Sequence, residues 1–217
     1  MRPTDWLRGQ CQDDWTAATD NPFVRELAAG TLAREKLAWY LVQDYTFIEG
    51  FVRLLASMVA HAPTLSDALP GARFLGVIAG PENTYFQRCF DELGVSESDR
   101  TDPPLSPAAE GFQDIMAEAA QSGRYEQMLA VLVGAEWSYL AWAGPYAGRA
   151  ESLPFYYGEW IALHSGEYFE RVVAYLRQQL DRAWEDLDQT ARDETLATFR
   201  RMIKLEREFF REAYAAA

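Results

Sequence analysis

Residues 125–146 constrain the fold more than any other stretch. They run Tyr-Glu-Gln-Met-Leu-Ala-Val-Leu-Val-Gly-Ala-Glu-Trp-Ser-Tyr-Leu-Ala-Trp-Ala-Gly-Pro-Tyr. The spacing predicts a helix over about 124–143, stopped by Gly144-Pro145 and apolar enough that other elements must bury it. One carboxylate, Glu136, is set into that wall. Desolvating an unpaired carboxylate costs several kcal/mol, so such a group is paired or has its pKa raised toward neutrality. Pairing would make Glu136 a structural ion pair with an arginine. A raised pKa suits a group that takes a proton from water.

The remainder of the chain reads as helices. Residues 4–18 carry helical spacing, and Thr-Asp-Asn-Pro at 19–22 breaks it. A short helix over 22–29 ends at Gly30, and Thr31 is the expected N-cap of a long one over 32–61. Tyr40, Asp44, Phe47 and Phe51 share one face of that long helix. Helical pattern over 66–94 is interrupted by Gly80-Pro81, where proline forces a kink or a restart. Residues 95–107, with Pro103, Pro104 and Pro107, are the clearest loop. Ser106 then caps a helix over 107–121 with proline in its first turn. After the central helix, a loop with Pro154 leads to helices over about 155–164, 165–186 and 189–215, the last opened by Asp188 or Thr190. No stretch alternates convincingly enough for a strand, and no repeat appears. The expectation is an all-α chain forming a single domain over 1–217, with too many helices for a simple four-helix bundle.

Composition narrows the function. A net charge of -13 leaves no basic tract for nucleic acid and disfavours an anionic membrane surface. Lys36 and Lys204 are the only lysines. Such an acidic, lysine-poor surface fits either a high-salt interior or GC-rich coding. Cys11 and Cys89 form no CxxC, the first residues lack the apolar core of a signal peptide, and no apolar run reaches membrane-spanning length. A cytoplasmic protein is the expectation.

No P-loop, GxGxxG or GxSxG occurs, and His61 and His164 are the only histidines. A dimetal site would want Glu-x-x-His pairs, which are missing. The reversed pair His164-x-x-Glu167 could join Glu136 and Glu82 around a metal, but two irons would be short of histidines. No cofactor is implied. What remains is carboxylates on apolar faces. Asp44 is either a buried acid satisfied by a tyrosine or tryptophan, or a binding group. Glu206 lies among Arg200, Arg201, Lys204, Arg207 and Arg211, and on its own reads as a solvated residue. Phe112 and Tyr139, on their own, read as core aromatics.

Together these residues resemble the TenA family of thiamin-salvage proteins. The likeness is carried by Asn21-Pro22-Phe23 before Gly30-Thr31-Leu32, by Tyr40-x-x-Gln43-Asp44-Tyr45, and by Ser106-Pro107. It continues through Ala135-Glu136-Trp137-Ser138-Tyr139, Trp160-Ile161, Ser165-Gly166-Glu167-Tyr168-Phe169 and Glu206-x-x-Phe209-Phe210. The resemblance implies a haem-oxygenase-like helical bundle, a homotetramer, and hydrolysis of thiamin or its aminopyrimidine breakdown products. It places ring-binding roles on Asp44 and Glu206, and aromatic walls on Phe47, Phe112 and Tyr139. One departure matters most: the position of the family's nucleophilic cysteine holds Ala135, followed by Glu136. A pocket tyrosine is replaced by His164. Loss of the thiol resembles a second branch, which relies on a glutamate pair. The implied catalytic groups are Glu136 and Glu206, and Asp44, Phe47, Phe112, Tyr139 and His164 are the implied pyrimidine contacts. The competing expectations are a non-catalytic pyrimidine binder or regulator acting through a protein partner, and a metal oxidase on the same scaffold.

Overall fold

The computed structural model describes residues 1–216. In chain order the helices are α1 (Pro3–Gly9), α2 (Gln12–Thr19), α3 (Pro22–Ala29), α4 (Arg34–Ala60), α5 (Leu65–Val77) and α6 (Asn83–Leu93). They continue as α7 (Glu97–Thr101), α8 (Pro107–Gln121), α9 (Tyr125–Ala143), α10 (Phe155–Leu163), α11 (Gly166–Glu185) and α12 (Gln189–Ala215). A π-helical turn, Ile78–Glu82, joins α5 to α6, and a 3-10 segment, Gly144–Ser152, precedes α10. The described residues contain no strand, as the patterning implied.

Helix α9 is the axis of the bundle. Every residue from Glu126 to Tyr139 is buried, and α2, α4, α8, α11 and α12 all pack on it. Its apolar circumference therefore replaces water with side chains on every face. Gly134 sets how closely α12 can approach. A Cβ there would lie 2.7 Å from Met202 Cγ, so the glycine lets α12 lie against α9 and brings Glu206 to the level of Glu136.

Several local expectations hold for the reasons given. Ser106 Oγ accepts from Ala109 N at 3.2 Å, Asp188 Oδ1 accepts from Ala191 N at 2.8 Å, and Gly30 closes α3 in the left-handed conformation. Others need correction. The first helix is two, broken at Gln10–Cys11. Thr31 does not cap α4: that helix begins at Arg34, and the Thr31 hydroxyl bonds back to Glu26 O at 3.4 Å. The loop at 95–107 holds the short helix α7, capped by Ser96. At Gly80-Pro81 the backbone widens into a π turn and then restarts as an α-helix. One extra residue in a turn rotates the following side chains, and such bulges are frequent at functional sites.

Candidate active site

One partly enclosed cavity brings together all seven residues singled out as site candidates. Asp44 and Phe47 come from α4, Phe112 from α8, Glu136 and Tyr139 from α9, His164 from the residue after α10, and Glu206 from α12. Ile48, Phe51, Phe74, Ala135 and Trp160 complete the wall, together with Glu82 from the π turn. On α4 the lining positions 44, 47, 48 and 51 recur at helical spacing, so one face of that helix supplies a side of the cavity. Phe47 and Phe112 meet edge to face at 5.2 Å, giving an aromatic surface against which a planar ring can stack.

Four carboxyl groups from four elements face this space, and no arginine or lysine does. Glu206 is 1 % exposed, Asp44 6 % and Glu136 8 %. Burial raises all three well above the usual carboxylate range, and mutual repulsion adds to it: Glu82 and Asp44 act on Glu136, and Asp44 and Glu136 act on Glu206. Asp44 is raised by burial and by Glu82, against a hydrogen bond from Tyr139 that acts in the opposite direction. Burial pushes Glu82 up to about 7. The Oε2 atom of Glu206 is buried with no hydrogen-bond partner among the described residues. A buried, unpartnered carboxyl oxygen costs stability and is retained where something else must bind it.

The expectation of Glu206 as a solvated residue fails. The arginines around it in sequence point outward from α12: Arg201 pairs with Glu118, and Arg207 with Asp14 and Glu208. The ion-pair reading of Glu136 fails too, because no cation lines its surroundings. The proposed His164–Glu167 pair does not form, since Glu167 is exposed and bound to Arg171 at 2.5 Å. The reading of Asp44 as an acid satisfied by a tyrosine is partly met: Tyr139 Oη donates to Asp44 Oδ1 at 3.4 Å. Glu82 entered the sequence reading only as a possible metal ligand beside Glu136 and His164; all three line the cavity, and the π turn at Gly80-Pro81 carries Glu82.

A directed chain of hydrogen bonds supports Asp44. Trp160 Nε1 donates to Tyr40 Oη at 3.2 Å, Tyr40 and Tyr139 share a 2.6 Å contact, and Tyr139 donates to the carboxylate. Tyr139 has one proton and gives it to Asp44, so Tyr40 is the donor in the shared contact and the protons run toward Asp44. His164 Nδ1 lies 2.9 Å from the Trp160 carbonyl, and burial lowers the ring's pKa to about 4, so the imidazole is neutral.

Fold and cavity together define an all-α, haem-oxygenase-like bundle with an acidic, aromatic-walled pocket at its centre. The model of the TENA/THI-4/PQQC family matches residues 9–216, and the chain belongs to that family. An aminopyrimidine aminohydrolase of Halalkalibacterium halodurans is 26% identical over 212 residues, covering 96% of this chain and 93% of that protein. A protein of the same name from Bacillus subtilis is 23% identical over 195 residues, covering 90% and 79%. Among solved structures, a TenA homologue from P. horikoshii superposes with a TM-score of 0.85 at 22% identity, covering 100% of both chains. Heme oxygenase-2 from Synechocystis gives 0.60 at 16% identity, covering 98% of this chain and 85% of that one.

Proposed function

We propose that this protein is a thiamin-salvage hydrolase that acts on aminopyrimidine breakdown products, the aminomethylpyrimidine or its formyl derivative, with a carboxylate-activated water in place of a cysteine nucleophile. The observation that carries this is the convergence of four carboxyl groups, three of them buried, without a counter-cation, on an aromatic-walled cavity that Ala135 also lines. The name shared by the curated relatives supports the substrate class.

Each group has a task that its surroundings suit. Asp44 has a raised pKa, so it is available as the acid form. Its hydroxyl then donates to a ring nitrogen while its carbonyl oxygen accepts from the adjacent amino group, a two-point match to an aminopyrimidine edge. Phe47, Phe112 and Tyr139 hold the ring faces. Glu136 takes a proton from water as the oxygen bonds to the carbon bearing the leaving nitrogen. Glu206 gives a proton to that nitrogen as the C–N bond breaks. Two carboxyls in unequal surroundings separate into base and acid in this way.

The test is to incubate purified protein with thiamin, aminomethylpyrimidine and formylaminopyrimidine and follow products by mass spectrometry. Hydroxymethylpyrimidine or deformylated product is expected from at least one of the latter two. Tight binding without any turnover would instead make the protein a pyrimidine binder.

A further inference from the structure

The His164 ring lines the cavity and packs among aromatic rings. Tyr139, Trp160 and Phe169 pack against it with ring centroids at 4.7, 4.3 and 5.2 Å. Its Nδ1 faces the Trp160 carbonyl at 2.9 Å. A carbonyl can only accept, so Nδ1 carries the ring's single proton and Nε2 is a bare acceptor. No hydrogen bond to Nε2 occurs among the described residues, although the residue itself is only 7 % exposed and lines the cavity. A carboxylic acid or a tyrosine hydroxyl can turn to donate or accept. A histidine fixed in this tautomer cannot, and burial opposes its taking a second proton.

We propose that His164 is a specificity-determining residue: its Nε2 accepts a hydrogen bond from the exocyclic arm of the bound pyrimidine, so the site selects arms that carry an O–H or N–H donor. The inference rests on the cavity being a pyrimidine site, with Asp44 occupied by the amino edge of the ring and the arm left for His164. A donor opposite Nε2 pairs an acceptor that no side chain or backbone group of the described residues satisfies. An alkyl arm displaces water from it and leaves it unpaired, and that penalty falls on the wrong ligand alone.

Calorimetric titration of the purified protein with hydroxymethylpyrimidine and with its methyl analogue, which lacks only the hydroxyl oxygen, tests this. The analogue is the smaller ligand, so exclusion by size cannot produce the preference. The wild-type protein is expected to prefer the hydroxymethyl compound about ten- to a hundredfold. In H164F both should bind within about twofold of each other. H164Q places an amide oxygen near the position of Nε2 and should keep part of the preference. If H164F fails to fold, as judged by its thermal transition, H164Q set against H164A carries the same comparison. A merely structural role would weaken both ligands equally and leave their ratio unchanged, and that result overturns the proposal. A wild-type protein that binds the two equally also overturns it. Binding of neither overturns the pyrimidine reading itself, and this proposal with it.

Discussion

The hydroxyls of Tyr40 and Tyr139 lie 2.6 Å apart and join α4 to α9 directly behind Asp44. Neither tyrosine could make this contact on a surface helix. Both are buried, which raises their pKa values far above the ordinary phenol range, so both keep their protons and the chain toward Asp44 stays directed. Tyr40→Phe removes the middle member, stranding the Trp160 indole N–H and freeing the Tyr139 hydroxyl to rotate. Denaturant unfolding should show a loss of about 1–3 kcal/mol, and KM for the pyrimidine should rise as Asp44 loses its fixed partner. An unchanged unfolding midpoint would mean the chain contributes nothing.

Glu136→Gln and Glu206→Gln are near-isosteric changes that remove ionisable groups from an acidic cavity. Turnover should fall about 10²–10⁴-fold in each, the range of general acid–base catalysis. Stability should hold or rise, because repulsion among the carboxyls is relieved. A structural ion pair would give the reverse pattern, a stability loss without a selective loss of turnover, measured by thermal melts alongside steady-state rates.

Intact-mass spectrometry on protein quenched during turnover should show no pyrimidine adduct. Ala135 offers no nucleophile. Cys11 lies away from the cavity and Cys89 is absent from its lining, and burial pushes their thiols up to about 11 and about 12 respectively. A trapped covalent species would contradict the water mechanism.

Stability should depend on pH through Glu82. Its folded pKa of about 7 lies above its ordinary 4.5, so the folded state holds the proton more tightly than the unfolded chain does. The stabilisation is fully present below about pH 4.5 and is lost as pH rises through about 7. His164 acts oppositely. Its folded pKa of about 4 lies below the usual 6.5, so its contribution is present above about 6.5 and lost as pH falls toward 4. Subtracting the melting curve of Glu82→Gln from that of the wild type isolates the first effect. The variant should gain about 1–2 kcal/mol relative to the wild type between pH 5 and 8, a figure reduced for the partial solvent access of Glu82. A constant difference across that range would sink the assignment.

Gly158 permits a closer approach than any side chain allows. A Cβ there would sit 2.1 Å from the Ala150 carbonyl oxygen, on the 3-10 segment beneath α10. Gly158→Ala should force α10 outward, cost about 1–3 kcal/mol or more, and weaken ligand binding, because Trp160 rides on that helix and His164 follows its last residue. Thermal melting together with ligand titration checks both parts.

The sequence by itself determined the helices. Helical periodicity, the Ser106 and Asp188 caps, the Gly30 terminus and the proline breaks are local effects, decided by a residue and its neighbours a few positions away. It also marked α9 as the central element, because an apolar helix can be covered only from all sides. The family order of motifs then named Asp44, Glu136 and Glu206 together, although local context had put Glu206 in water. Only the tertiary structure decided which charges lack partners. Arginines a residue or a few away from Glu206 turn outward to other carboxylates, while carboxyls as distant in sequence as 44 and 206 turn inward to one cavity. The facing of Glu82 was decided in the same way: a π turn changes the facing of a side chain by the insertion of one residue, and periodicity reads straight through it. Desolvation depends on everything that surrounds a group, and no window along the chain contains those surroundings.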